Sequence, residues 1–131
     1  MYEFGVDCFT RHEGLIENTT IFVRYDGKPV VNSSVCQYYA FELAEDTSGS
    51  HKMCVKPLYF IDPDCDVQLD IKSSYSGSSL HTIDCNTETN DDFCADENKD
   101  DLYIFIKKHG VIASTIASFL LQVYVEEVDR I

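Results

Sequence analysis

Eight carboxylates, Asp84, Glu88, Asp91, Asp92, Asp96, Glu97, Asp100 and Asp101, crowd into residues 84–101 against one lysine, Lys99. At this density they repel one another. Water, a hard cation such as calcium, or a basic protein would each relieve the repulsion. Asp96-x-Asn98-x-Asp100 opens like a calcium-binding EF-hand loop, but Asp101 stands where that loop needs glycine and Lys107 where it needs the bidentate glutamate. An EF-hand is excluded, a looser calcium site ranks below a solvated loop lying between Cys85 and Cys94, and no metal or cofactor is expected. The expected contacts to a basic partner are Asp91, Asp92, Asp96, Glu97, Asp100 and Asp101. Tyr75 joins them, because tyrosine in the Ser-Ser-Tyr-Ser-Gly-Ser-Ser run of 73–79 offers rigid contact area at low entropic cost.

Catalytic arrangements are missing. No Gly-x-Ser-x-Gly elbow and no His-Glu-x-x-His helix motif occurs, and His12, His51, His81 and His109 stand in no pattern beside a nucleophile. The chain is not expected to be an enzyme. The alternative is a small secreted hydrolase using Asp/Glu pairs, which would need two carboxyls held at a defined separation in a cleft. A third reading is a structural segment of a larger ectodomain.

The six cysteines, Cys8, Cys36, Cys54, Cys65, Cys85 and Cys94, include no pair two to four residues apart. Zinc sites and Cys-x-x-Cys redox centres present two sulfurs from one turn, so three disulfides are expected instead, with 15 pairings open. Two sequons, at Asn18 and Asn32, lie beside expected turns where glycans would stay in water. Oxidised cysteines and sequons together place the chain outside the cell, secreted or displayed. Residues 1–8 lack the basic and apolar regions of a signal peptide, and the chain is read as a mature form. The apolar stretch Val111 to Val125 is too short and too interrupted by polar residues to cross a bilayer, so no membrane span is expected.

A net charge of −13 repels phosphate backbones, which argues against nucleic acid. With 44% hydrophobic residues in 131, one folded domain over 1–131 is expected. Period-2 alternation is its dominant pattern. Tyr2, Phe4, Val6 and Cys8 alternate with polar residues, and Thr19–Tyr25 is a β-branched run closed by Asp26-Gly27, which predicts a hairpin returning through Lys28–Val31. Thr10–Asn18 reads as a polar connection. Further strands are expected over 35–43, 53–61 with Pro57 breaking the ladder, 65–72, 80–85, 102–107 and 118–126. In 65–72, Cys65, Val67, Leu69 and Ile71 face inward while Asp66, Gln68, Asp70 and Lys72 face water. Most of the 16 Phe and Tyr residues are assigned to the core, since there is no Trp to fill it.

The expected fold is an all-β, disulfide-stabilised antiparallel β-sandwich of eight or nine short strands, with a Greek-key arrangement open. The expected function is recognition of another extracellular protein, more narrowly a basic ligand or receptor, without chemistry of its own.

Overall fold

The computed structural model describes residues 1–7, 10–16, 19–30, 36–44, 51–86, 92–96, 100–108 and 116–127. Among them run ten strands: β1 (Tyr2–Phe4), β2 (Thr10–Leu15), β3 (Thr20–Tyr25), β4 (Tyr38–Leu43), β5 (His51–Ile61), β6 (Val67–Lys72), β7 (His81–Ile83), β8 (Phe93–Cys94), β9 (Asp101–Lys108) and β10 (Ser118–Glu127). They form two five-stranded sheets, β1-β3-β10-β5-β8 (sheet A) and β2-β4-β9-β6-β7 (sheet B). Period-2 alternation builds the layers: in β10, Phe119, Leu121, Val123 and Val125 are buried while the residues between them are not. One hydrophobic cluster draws on both sheets, with Phe4, Val23, Met53 and Phe119 from A meeting Tyr39, Phe41, Leu69 and Ile104 from B.

The all-β sandwich holds, with mixed sheets. Pairs β1–β3 and β2–β4 are parallel, and every other pairing is antiparallel. The connectivity explains this. From β1 through β6 successive strands alternate between sheets, so β1 and β3 meet only after the chain has crossed to B and returned, and such a crossover allows parallel neighbours. Among consecutive strands only β6 and β7 pair. The hairpin expected at Asp26-Gly27 therefore does not form. Gly27 does take a positive φ of 81°, but residues 26–30 carry no strand, and β3 pairs with β1 and β10. Other contacts hold the returning segment: the Tyr25 hydroxyl donates locally to the Lys28 carbonyl at 2.9 Å, the Lys28 ammonium reaches the distant Glu3 at 2.7 Å, and Val30 is buried.

Two strands lie in segments read as connections. β2 occupies much of the supposed polar linker as an edge strand on β4. Its register shifts between His12 and Leu15, where Gly14 takes a φ of 76° that few side chains tolerate. β8 interrupts the acidic segment, and Cys94 lies directly opposite Cys54. Pro57 sits within β5, but its missing N–H costs no ladder bond. The Met53 carbonyl accepts from the Ala95 amide at 2.9 Å, so Met53, Val55 and Pro57 all direct backbone groups to the β8 side, and β8 ends opposite Val55. A bulge beside Pro57 then shifts the β5–β10 register.

The disulfides Cys54–Cys94 and Cys65–Cys85 strap β8 to β5 and the turn before β6 to the segment after β7. Cys36 is also disulfide-bonded, and Cys8 lies outside the described residues. Cys65 does not extend the alternation of β6 as expected. It takes a φ of 52° in the Asp62-Pro63-Asp64 turn, which the Asp62 carboxylate closes by accepting from the Asp66 and Val67 amides, each at 2.9 Å. No helix among the described residues is long and apolar enough to cross a membrane.

Candidate binding surface

The pairing registers define what each sheet turns to solvent. On sheet B one outward row runs Arg11, Ala40, Tyr103, Lys72, and the next runs Tyr38, Phe105, Asp70, Thr82. Tyr38, Tyr103 and Phe105 thus stand together on the side away from the core, all half-buried. Tyr38 stacks on Phe105 with ring centroids 5.0 Å apart and lies 5.8 Å from Tyr103. Tyr75 reaches over them from the β6–β7 connection. Its ring meets Tyr38 edge-on at 5.3 Å and Phe105 at 5.6 Å, yet remains 48% exposed. The Lys72 ammonium sits 4.6 Å from the Phe105 centroid, so this face already holds one cation over a ring. Burial, and then the neighbouring Tyr103 and Tyr75, raise the Tyr38 pKa above its ordinary value.

Charge borders the rings on two sides. At one margin the Arg11 guanidinium donates to the Tyr103 hydroxyl at 3.3 Å, to Glu42 at 2.9 Å and to Asp101 at 3.2 Å. These partners, Tyr103 first and then Glu42, push the Arg11 pKa upward. At the other margin Asp70 is buried, correcting the expectation that it faces water. Phe105 is its cross-strand neighbour, and the carboxylate accepts from Lys107 at 2.6 Å, Gln68 at 2.9 Å and Thr82 at 3.2 Å. Burial opposes its ionisation, but the hydrogen bonds from Lys107 and Gln68 prevail and its pKa is lowered.

The carboxylates picked from the sequence are dispersed. Asp101 lies at the Arg11 margin. Asp92 accepts from the Tyr124 hydroxyl on the outer face of sheet A, which together with burial raises the Tyr124 pKa, burial being the larger cause. Asp96 and Asp100 are exposed where the chain crosses from β8 to β9. The Ala95 amide bonded to Met53 and the Asp100 carbonyl accepting from Leu43 at 3.0 Å fix that crossing to one end of the sandwich. Glu42 and Asp101 lie at this end of sheet B, and Glu126 and Glu127 at this end of sheet A. Asp91, Glu97, Asn18 and Asn32 lie outside the described residues.

Among the described residues, one trio of metal-ligating side chains has its atoms within 4.8 Å of one another: Cys54, Cys94 and Glu126. The two sulfurs are bonded to each other and offer no thiolate.

The sequence singles out Tyr75 and, because Tyr38 and Tyr39 are adjacent on one strand, requires one of that pair to point away from the other as a possible contact; it does not single out Tyr103 or Phe105. A signal was present: in β9, Leu102, Ile104 and Ile106 take one face, which puts Tyr103 and Phe105 on the other beside Asp101 and Lys107. Comparisons of the chain with protein-family models and with curated proteins found no match.

Proposed function

We propose that this chain is an extracellular protein-binding module that engages a basic protein partner through the outer face of sheet B. The observation carrying this reading is the cluster of Tyr38, Tyr75, Tyr103 and Phe105 on the solvent side of a sheet whose other side already forms the core. Rings placed there add nothing to the packing between the sheets. Tyrosine-rich, partly desolvated clusters are the residues that dominate protein interfaces. The acidic end beside the cluster supplies long-range attraction for a basic surface, and the ring faces accept lysine or arginine, as Phe105 accepts Lys72. The disulfides and the net charge of −13 support the same reading: a stapled scaffold suits an oxidising compartment, and the charge disfavours acidic competitors.

The test is a binding screen against extracellular proteins at about 50 and 300 mM salt, followed by Tyr75→Ala and Tyr38→Ala on any partner found. A basic partner should bind more weakly at the higher salt. Each substitution should raise Kd by about tenfold or more, as truncating a contact anchor costs at least about 1–2 kcal/mol. Binding that ignores both salt and the two tyrosines refutes the proposal.

A further inference from the structure

Three cations lie among the rings of sheet B, and two of them are held by carboxylates: Arg11 by Glu42 and Asp101, Lys107 by Asp70. The third, Lys72, has no carboxylate partner among the described residues. Asp70 stands two residues before it on the same side of β6, but its oxygens accept from Lys107, Gln68 and Thr82 instead. Lys72 is the cross-strand neighbour of Tyr103, and its ammonium lies over the Phe105 ring, 4.6 Å from the centroid. Tyr38 stacks on that ring at 5.0 Å and Tyr75 meets it edge-on at 5.6 Å. A cation arriving from outside therefore finds Phe105 occupied. It can take this place only as Lys72 leaves, since two positive groups over one ring repel each other.

On the reading that this face receives a basic protein, we propose that Lys72 holds the place of the partner's anchoring cation and is displaced by it, so that the chain competes with its own ligand. The position suits an exchange. The ammonium is held by a ring and not by a carboxylate, a contact that at a half-exposed site amounts to about two- to fivefold in an equilibrium constant. The flexible four-carbon stem lets the head swing into water without moving the strand. A partner's arginine has the advantage in the exchange, because its guanidinium is planar, more weakly hydrated and stacks flat on an aromatic face. Lys72 thus keeps the ring covered when no partner is bound and lowers the affinity for any cation that would replace it.

Titration of the protein with a peptide alternating arginine and glycine, at about 50 and 300 mM salt, tests this by calorimetry and by the proton resonances of the Lys72 side chain. Those next to the ammonium should be shifted by the Phe105 ring current in the free protein and should move to water-like values as the peptide saturates. Lys72→Met keeps most of the stem and removes the charge, so the peptide should bind about two- to fivefold more tightly. Lys56→Met, exposed on the outer face of sheet A, makes the same charge change away from the rings and should tighten binding much less, above all at the higher salt. Lys72→Arg keeps the charge and improves the competitor, so it should weaken binding. Lys72 resonances that stay ring-shifted at saturation, or a Lys72→Met variant that binds no better than Lys56→Met, overturn the inference; if Tyr75→Ala still weakens the peptide, the face remains the binding site. A peptide that does not bind, or that ignores both Tyr75→Ala and Tyr38→Ala, overturns the reading of the face and this inference with it.

Discussion

Replacing Lys107 with methionine isolates the buried carboxylate beneath the aromatic face. Asp70 is 2% exposed and takes its one charged hydrogen bond from Lys107, at 2.6 Å, with Gln68 and Thr82 donating as neutral groups. A hydrogen bond to a charged group is worth about 1.5–3 kcal/mol. The Lys107 side chain is 59% exposed, so water and salt screen part of this, leaving about 2 kcal/mol near neutral pH. For a chain of this size that lowers Tm by about 7 °C. The pH dependence makes the prediction specific. The Asp70 pKa is lowered in the folded protein, so its stabilisation is complete above the unfolded carboxylate value and is lost as pH falls through the folded one. In Lys107→Met burial is less opposed and the folded pKa rises, so acid neutralises the orphaned carboxylate and relieves the defect. Melting curves from pH 3 to 7 should show the Tm gap between wild type and variant closing below about pH 4. A gap that stays constant over that range refutes the reasoning, because the cost would then be lost packing of the lysine stem and not charge. Asp70→Asn with the double variant completes the cycle, and the two effects should fall short of additivity by about 1 kcal/mol or more.

Arg11→Ala leaves Glu42 and Asp101 facing each other across β4 and β9; thermal melting should show a loss of up to about 1 kcal/mol that shrinks as salt screens the repulsion. Burial holds Tyr2, Tyr25, Tyr38, Tyr39 and Tyr124 above the ordinary tyrosine pKa. With no Trp to obscure the absorbance, ultraviolet titration of the native protein should show these groups ionising later than in denaturant. Because their folded pKa values are raised, the stability they confer is present below about pH 10 and is lost as pH climbs through the folded values. By the chain-entropy account, Cys54→Ser with Cys94→Ser opens a loop of 40 residues and Cys65→Ser with Cys85→Ser one of 20, at costs of about 4 and about 3 kcal/mol. Urea unfolding of the two double variants should rank them in that order.

Alternation along the chain was enough to establish an all-β sandwich, because burying one side of a strand imposes a period of two whatever strand lies next to it. β10 shows this best: the reading of 118–126 matches Ser118–Glu127, and burial alternates along it from Phe119 to Val125. The absence of a close cysteine pair likewise pointed to disulfides, because the rule concerns what one turn can present. Strand pairing was not legible. A strand's pattern tells that one side is buried, but not which neighbour shares its backbone hydrogen bonds, so the Asp26-Gly27 turn suggested a hairpin where the chain instead crosses between sheets. Weak strands were missed for the same reason. β2 and β8 are held by partners distant in sequence, β4 in one case and Cys54 in the other, and have little pattern of their own.

The acidity and the tyrosines of the surface could be counted in the sequence, but their grouping was decided by tertiary structure. Asp92 and Asp101 are near neighbours in the chain, yet they lie on the outer faces of different sheets, while Tyr38, Tyr75 and Phe105 come from three separate segments to form one cluster. Asp70 looked wet because its strand position points away from the core, and only the covering of that outer face by Lys107 and its neighbours removes it from water. Inward or outward is a local property of a strand, set by the pleat. What lies beside or above an outward side chain depends on register and crossovers between remote segments, and those are settled only when the whole chain packs.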